Sequence, residues 1–276
     1  MRWLLIKIKD DVDTFFYTVR SGINRLTGGK QQAVFVYQMG KVASSSIYAS
    51  LRKLPQFKVY QVHRMSAENV DAYFKEQSQL KGSRSYSPDK KWLRWYKKYF
   101  VDSDEPIKII SLVREPIERN FSAFFQNLEN FCDPNDKAAT EGLISRFISD
   151  YNHKVPLEWF DVEMKTTTGI DVYSKEFMYE EGYQLYKEGR YELLVLRVDM
   201  NDQTKEELVA RFMGLDSFKL TMKNIGSKKS YSAQYKDFKN AISLDMDYVS
   251  KMLDSKYAQH FFSPNELKQA RSKWIK

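Results

Sequence analysis

The chain has 276 residues, with 44 Lys and Arg against 36 Asp and Glu, which gives a formal net charge of +8. Apolar residues make up 42% and aromatic residues 15%, so the composition excludes a disordered protein and predicts a sizeable core. The single cysteine, Cys132, excludes a disulfide framework and a cysteine-rich zinc site. The positive charge leaves nucleic acid, an anionic small ligand, an acidic polymer and a membrane surface open as partners.

The N-terminal segment indicates no membrane-spanning helix, which needs about 20 apolar residues. Its apolar run before Lys7 is also too short for a signal peptide. We therefore expect a cytoplasmic protein, with peripheral contact to the inner face of the membrane left open. Residues 1–30 are predicted to be a helical extension, with a helix at about residues 10–26. Residues 31–276 are predicted to form a single domain, because no shift in composition marks a second one.

Apolar runs predict four strands, at residues 33–37, 58–62, 107–113 and 193–198. The clearest helical patterns cover residues 66–80, 116–130 and 202–213, and a last helix opens at Ser263-Pro264. The region 133–189 mixes helical stretches with irregular segments. This alternation predicts a three-layer α/β fold, similar to P-loop proteins, with a central, mostly parallel sheet flanked by helices.

The segment 38–46, Gln-Met-Gly-Lys-Val-Ala-Ser-Ser-Ser, follows the first strand and precedes a helical pattern. A strand, a glycine-containing loop and a helix form the usual arrangement for binding phosphate or sulfate through backbone amides. Gly40 permits a close backbone approach, Lys41 supplies a positive charge, and three serines supply hydroxyls. A polar turn with a serine capping the helix is the alternative.

An ATP- or GTP-hydrolysing loop is a poor match for this segment. Such a loop needs a Ser or Thr after the lysine to hold Mg²⁺, and Val42 stands there. Position 35, where the first glycine of that motif would stand, is Phe35.

A second polar group follows the third strand. Arg114 stands at the carboxyl end of that strand, where α/β sheets place ligands, and Ser122 lies about two helical turns later. A guanidinium fork and a hydroxyl suit a dianionic phosphate. The alternative is an Arg114 that pairs with Glu115 or Glu118 and a Ser122 that is only a spacer.

The two segments together resemble the sulfotransferases that use 3′-phosphoadenosine 5′-phosphosulfate. Residues 38–46 resemble the family's 5′-phosphosulfate loop, in the Lys-x-Ala-Ser-x-Ser form of carbohydrate sulfotransferases, and residues 113–122 resemble its 3′-phosphate segment. The segments around Trp159 and Gly169 and the C-terminal part resemble bacterial capsular-polysaccharide proteins of this superfamily. The resemblance covers most of residues 32–276.

The resemblance implies the residues that bind the phosphosulfate donor. The loop residues that would hold the 5′-phosphosulfate are Gly40, Lys41, Val42, Ala43, Ser44, Ser45 and Ser46. Lys41 would also neutralise charge on the bridging oxygen as the sulfuryl group leaves. Arg114 and Ser122 would hold the 3′-phosphate. A late loop, residues 224–231, would add Lys228 or Lys229, although a lysine-rich loop is commonly only solvated.

The resemblance also implies a catalytic base. Uronyl-type sulfotransferases carry a histidine after the second strand, and His63 occupies that place in this chain. The alternatives are a structural histidine, or Glu115 or Glu118 as the base. In the basic aromatic stretch 90–99, Arg94 and Lys97 are candidate contacts to the acceptor substrate, although its aromatic spacing also suits a buried helix face.

The sequence therefore predicts a sulfotransferase that moves a sulfuryl group to a hydroxyl of a carbohydrate, without a metal. The expected acceptor is a capsular or other cell-surface polysaccharide, or its lipid-linked precursor. The alternatives are a P-loop-type nucleotide kinase or NTPase and a non-catalytic anion- or nucleic-acid-binding protein. We expect no nucleic-acid partner, because no such motif occurs and basic residues alternate with acidic ones. The sequence defines neither the acceptor nor the oligomeric state.

Overall fold

The computed structural model describes residues 31–66, 96–131, 140–221 and 232–275, and the structural statements below concern these residues. The predicted N-terminal extension and, apart from residue 66, the helix predicted at residues 66–80 lie outside them. Among the residues described, no helix combines the length and the apolarity needed to cross a membrane.

A five-stranded sheet forms the centre of the fold and confirms the predicted α/β class. Its strands are β1 (Gln32–Tyr37), β2 (Phe57–Val62), β3 (Ile107–Val113), β4 (Tyr183–Glu188) and β5 (Tyr191–Arg197). Their order is β2-β1-β3-β5-β4, and every neighbouring pair is parallel except β4 and β5. The four predicted strands are confirmed within two residues at each end.

The sequence pattern did not predict β4. This strand lies at the edge of the sheet and pairs with β5 across a tight turn at Gly189, whose φ is +52°. Its sequence, Tyr-Gln-Leu-Tyr-Lys-Glu, lacks the apolar run of the parallel strands because only one face of this strand is buried. Leu185 remains 45% exposed on this strand.

Nine α-helices of five residues or more are assigned within the described ranges. They are α1 (Ser45–Leu51), α2 (Pro116–Gln126), α3 (Thr140–Asp150), α4 (Val155–Trp159), α5 (Asp202–Met213), α6 (Ser232–Ala241), α7 (Met246–Leu253), α8 (Lys256–Phe261) and α9 (Pro264–Trp274). After α4 the chain continues as a π-helical segment, Phe160–Lys165, and a last helical turn, Thr166–Thr168. The helix predicted at residues 116–130 ends earlier, at Gln126, and a 3₁₀ turn, Leu128–Asn130, follows.

The buried apolar residues form two hydrophobic clusters, and the apolar face of helix α2 belongs to the second. One cluster contains the buried residues of the sheet, and the other joins α2 to α3, α6, α7 and α9. In the second cluster, Phe121 of α2 meets Phe147, Phe238 and Trp274 at ring distances of about 5 Å. Because these rings fix the apolar face of α2, its polar residues are held beside the loop that follows β1.

Candidate functional site

The loop between β1 and α1 has an unusual backbone. Three of its residues have a positive φ: Gly40 at +81°, Lys41 at +66° and Ala43 at +56°. The left-handed region costs a residue other than glycine about 1–2 kcal/mol, so other contacts must hold Lys41 and Ala43 there. The amides of Val42, Ala43 and Ser44 have no acceptor among the described residues. Successive amides in such a loop form a concave surface of donors that suits an anion.

The three serines of the loop differ in what their hydroxyls contact. The Ser44 hydroxyl is buried and accepts a hydrogen bond of 3.0 Å from Gln61 Nε2 of β2. Ser45 and Ser46 are half-buried, and their hydroxyls make no hydrogen bond within the described part of the chain. Val42 has a fully buried side chain, so only its backbone faces the loop surface. Ser45 and Ser46 are therefore the better placed hydroxyls for a ligand.

Arg119 holds the loop in place through hydrogen bonds to its backbone. The sequence analysis did not identify this residue. Its guanidinium is buried and donates to the carbonyls of Met39, at 2.8 Å, and Gly40, at 3.3 Å. It also donates to Asn120 Oδ1 and to the hydroxyl of Tyr151, both at 3.0 Å. The planar guanidinium donates to all four acceptors, so Arg119 fixes the backbone where the left-handed residues begin, at Gly40.

Arg114, which the sequence analysis predicts to share an anion with this loop, lies against it. Its Nη1 donates to the carbonyl of Lys41 at 3.3 Å, and the Lys41 ammonium in turn donates to Gln126 Oε1 at the end of α2. Tyr257 of α8 holds the backbone of Arg114, because its hydroxyl accepts from the amide at 3.1 Å and donates to the carbonyl at 2.9 Å. The loop and the carboxyl end of β3 are thus joined.

Glu118 is the centre of a cation cluster. Its carboxylate accepts from Arg114 at 3.2 Å, from Lys239 at 2.7 Å and from Lys273 at 2.6 Å. Burial alone would raise the pKa of Glu118, but the hydrogen bonds from the two lysines outweigh burial and hold that pKa below its ordinary value. One carboxylate cannot neutralise three cations, so the cluster keeps an excess of positive charge.

Ser122 lies beside this cluster. Glu118, Ser122 and Gln126 follow each other at four-residue intervals on α2, so they share one face of the helix. Arg114 contacts the first of them and Lys41 the last. Ser122 therefore lies on the helix face between the two contacts, half-buried and with no hydrogen-bond partner among the residues described.

Glu115 has the position of a helix cap. Its two carboxylate oxygens accept from the amides of Ile117, at 3.1 Å, and Glu118, at 2.6 Å, at the start of α2. Burial raises the pKa of Glu115 to about 7, although these two hydrogen bonds oppose the shift. With both oxygens engaged by backbone amides, Glu115 is better suited to capping than to taking a proton from a substrate.

His63 lies directly after β2 and beside the loop. Its ring is so close to Gly40 that a side-chain carbon there would lie 3.9 Å from Nδ1. Nδ1 is 2.9 Å from the carbonyl oxygen of Gln38 and 3.0 Å from the side-chain amide nitrogen of the same residue. A neutral ring with its proton on Nδ1 donates to that carbonyl, and its Nε2 is then the unprotonated nitrogen.

The surroundings of His63 favour its neutral form. Burial by the surrounding residues lowers its pKa from 6.5, and the charges of Arg64, Arg119 and Lys41 lower it further, whereas the hydrogen bond to Gln38 opposes the shift. The residue nevertheless keeps an exposed surface at the edge of the sheet. His63 therefore combines access to solvent with a form that accepts a proton at neutral pH.

A buried glutamate, Glu163, anchors the segment that follows His63. Its Oε2 accepts from the Tyr37 hydroxyl at 2.5 Å and from the amides of Met65, at 2.7 Å, and Ser66, at 3.2 Å. Burial raises the pKa of Glu163, and these hydrogen bonds oppose the shift. Trp159 Nε1 donates to the carbonyl of His63 at 2.9 Å. The end of α4 and the π-helical segment after it thus fix the backbone on both sides of residue 64.

The remaining predicted site residues are not placed by the structure. Arg94, Lys228 and Lys229 lie outside the described residues. Lys97 begins a π-helical turn, Lys97–Val101, but its side chain is not described. Within the described ranges, no group of three or more His, Cys, Asp or Glu side chains could hold a metal ion.

Comparison with known proteins gives one family. Residues 135–263 match the model of a family described as "Putative capsular polysaccharide synthesis protein". This stretch includes Trp159, Glu163, Lys239 and strands β4 and β5, whereas the loop after β1, His63 and Arg114 precede it. No curated protein and no solved structure matches the chain. The C-terminal half of the molecule is therefore similar to a family of proteins named for capsular polysaccharide synthesis.

Proposed function

We propose that this protein is a sulfotransferase that moves the sulfuryl group of 3′-phosphoadenosine 5′-phosphosulfate to a hydroxyl of a carbohydrate. The observation that carries the proposal is the contact between Arg114 and the carbonyl of Lys41. It joins a loop with three unpaired amides to the polar face of α2 that carries Ser122. Two anion-binding groups, at the ends of neighbouring parallel strands, are thus available to one ligand.

The residues of the two groups suit the two ends of this donor. The amides from Val42 to Ser44 and the hydroxyls of Ser45 and Ser46 suit the 5′-phosphosulfate. Arg114 and Ser122 suit the 3′-phosphate, and Lys239 and Lys273 add the positive charge that the sequence assigned to Lys228 or Lys229. A metal-dependent phosphoryl transfer is less well supported, because Val42 is buried and has no side-chain hydroxyl to offer to Mg²⁺.

The chain's own residues would perform the transfer as follows. The donor supplies a sulfuryl group attached to a phosphate that leaves. His63 Nε2 takes the proton of the acceptor hydroxyl as its oxygen forms the new bond to sulfur and the bond from sulfur to the phosphate oxygen breaks. Lys41 turns from Gln126 to neutralise the charge that develops on that phosphate oxygen. Arg119 keeps the loop amides aimed at the same group.

The proposed acceptor is a capsular or other cell-surface polysaccharide, or its lipid-linked precursor. The similarity of residues 135–263 to a family named for capsular polysaccharide synthesis supports a carbohydrate. A polymer precursor assembled at the inner face of the membrane would be reached by a cytoplasmic protein with peripheral membrane contact. The formal charge of +8 favours such contact with anionic lipids.

Calorimetry with three nucleotides tests the donor site. We expect 3′-phosphoadenosine 5′-phosphate to bind at least about tenfold more tightly than AMP or ADP, because only this nucleotide carries the 3′-phosphate. Arg114→Ala should abolish this preference. Arg211→Ala, which removes an exposed arginine from the last turn of α5, is the matched control and should keep it. Equal affinity for all three nucleotides would overturn the proposal.

Two results would support the alternative functions instead. Mg²⁺-dependent turnover of ATP would indicate a nucleotide kinase or NTPase. Steeply salt-dependent binding to DNA, without affinity for any nucleotide, would indicate a non-catalytic binding protein.

A further inference from the structure

A cavity of about 610 Å³ lies along the edge strand β4, away from the loop after β1. Its walls come from β4 and β5, from the end of α5 and from the segment that follows Gly169. Lys108, the second residue of β3, also lines it and stands six residues before Arg114. At about 3.3 Å per residue, some 20 Å of strand separates the two, so the cavity is a distinct site.

The cavity has apolar surfaces of the kind that pack against sugar rings. Tyr183 and Phe212 contribute aromatic rings, and the partly exposed Leu185 lies on the same strand as Tyr183. The Lys108 ammonium lies 4.7 Å from the centre of the Phe212 ring and donates to the Phe212 carbonyl, which fixes this side of the cavity. Rigid rings beside polar groups are typical of sites that bind amphipathic ligands.

One polar group at the cavity lacks a partner. Tyr186 lines the cavity and is only 8% exposed, yet its hydroxyl makes no hydrogen bond within the described residues. A buried hydroxyl without a partner is costly and commonly indicates a water or a ligand that completes it. The hydroxyl itself is enclosed by the cavity wall, so a hydroxyl of a bound molecule would meet this need once a small shift of the lining side chains admits it.

The charged groups of the cavity are of both signs. Glu192 pairs with Lys108 at 3.6 Å and with Lys187 at 3.1 Å, so one carboxylate offsets part of the charge of these two lysines. Asp171 and Glu188 add two further carboxylates to the lining. Lys175 and Arg211 are exposed and have no ion-pair partner among the described residues. This mixture suits a ligand rich in hydroxyls with scattered negative charge better than a densely charged polyanion.

We propose that this cavity binds an oligosaccharide segment of the acceptor polymer, separately from the sulfuryl-transfer site. The choice of a carbohydrate rests on the proposed function. Apart from Lys108, every residue that lines the cavity lies within the stretch similar to the capsular polysaccharide family. A second binding site, separated from Arg114 by about 20 Å of strand, would hold a polymer while one of its hydroxyls reacts at the transfer site.

Titration with two oligosaccharides, in the absence of nucleotide, tests this proposal. The probes are maltohexaose, which is neutral, and a hexasaccharide of galacturonic acid, and binding is followed by protein-observed NMR. We expect at least one probe to bind, and Tyr186→Phe to weaken that binding by about threefold to tenfold. Arg211→Ala should weaken the galacturonate probe more than the neutral one.

Tyr173→Phe is the matched control, since the Tyr173 hydroxyl is also buried without a partner but does not line the cavity. This variant should bind both probes as the unmodified protein does. Absence of binding to both probes, or unchanged binding in both Tyr186→Phe and Arg211→Ala, would overturn the proposal. Loss of binding in Arg114→Ala would place the probe at the loop and would also overturn it. Because no nucleotide is present, failure of the donor assignment leaves these results unaffected.

Discussion

A single buried guanidinium, that of Arg119, determines whether the loop after β1 keeps its shape. Lysine has no planar fork and cannot reach the carbonyls of Met39 and Gly40 together with Tyr151. We expect Arg119→Lys to lower the affinity for 3′-phosphoadenosine 5′-phosphate at least about tenfold and the free energy of unfolding by about 1–3 kcal/mol.

Tyr151→Phe is the control for this prediction, because it removes one acceptor of Arg119 and leaves both loop contacts in place. It should keep the nucleotide affinity within about threefold in the same calorimetric titration. An Arg119→Lys variant that binds the nucleotide normally would show that the loop keeps its left-handed backbone without the hydrogen bonds from Arg119.

His63 has a testable signature in the pH dependence of turnover. Because burial and neighbouring cations lower its pKa from 6.5, the neutral base is present above that lowered pKa, and activity should fall only as pH drops below 6.5. His63→Ala should keep nucleotide affinity and reduce kcat by about 10²–10⁴-fold. Sulfuryl transfer at the normal rate in His63→Ala would show that another group takes the proton. A pH profile unchanged in shape in the residual activity would lead to the same conclusion.

At the scale of elements, the segment after α4 controls the position of His63 through Glu163. We expect Glu163→Ala to lower the free energy of unfolding by about 3–5 kcal/mol. It leaves the amides of Met65 and Ser66 without their acceptor and the Tyr37 hydroxyl with only the longer contact to Thr167 Oγ1, at 3.3 Å. Tyr37→Phe removes one of these hydrogen bonds and should cost about 1 kcal/mol. Urea unfolding measures both values.

A conservative variant of Glu163 distinguishes a role in positioning His63 from a role in stability alone. In Glu163→Gln the amide oxygen still accepts from a backbone amide, so this variant should fold, but His63 should be less well placed. We expect kcat to fall while nucleotide affinity and KM change little, and the acid limb of the pH profile to shift. An unchanged kcat in a folded Glu163→Gln variant would indicate that Glu163 has only a structural role.

The sequence predicted the elements whose signals are local. The apolar runs of β1 to β3 and β5 are typical of buried parallel strands, and Gly40 with Lys41 indicated the loop. Other features depend on contacts between distant residues. Lys239 and Lys273 cannot be told from solvated lysines until α6 and α9 bring them to Glu118.

Arg119 and Glu163 look like ordinary surface residues in a helical pattern, although the fold buries both. Arg119 stands at the sixth position of the motif that begins at Arg114, which is the one signal that could have identified it.

At the scale of the whole molecule, the C-terminal helices connect the sheet to the helical cluster around α2. Trp274 of α9 packs on Phe121, and Lys273 beside it contacts Glu118. The start of the same helix is tied to the sheet, because Arg197 at the end of β5 forms two hydrogen bonds to Glu266. Helix α9 thus links the carboxyl edge of β5 to the proposed 3′-phosphate site, and its loss should affect stability and nucleotide binding together.

The pair of Arg197 and Glu266 should make the stability of the whole fold sensitive to acid. Burial alone would raise the pKa of Glu266, but hydrogen bonds from Arg197 and Ser263 outweigh burial and lower that pKa from 4.5 to about 2. A carboxylate whose pKa is lowered in the folded protein stabilises the fold. This stabilisation is fully present above pH 4.5 and is lost as pH falls towards 2. The full shift corresponds to about 3 kcal/mol, which solvent screening of the 38% exposed side chain reduces to about 1–2 kcal/mol.

Urea unfolding at pH 7 and pH 3 checks this prediction with Glu266→Gln. The variant should be less stable than the unmodified protein at pH 7. The difference should shrink by roughly 1 kcal/mol at pH 3, because part of the stability from the pair is already lost between pH 4.5 and pH 3. Glu207→Gln, at an exposed glutamate of α5, is the matched control and should show no such pH-dependent difference. If Glu266→Gln loses as much stability between pH 7 and pH 3 as the unmodified protein, the link between β5 and α9 does not depend on this ion pair. The packing of Trp274 and Phe121 then holds the helix alone.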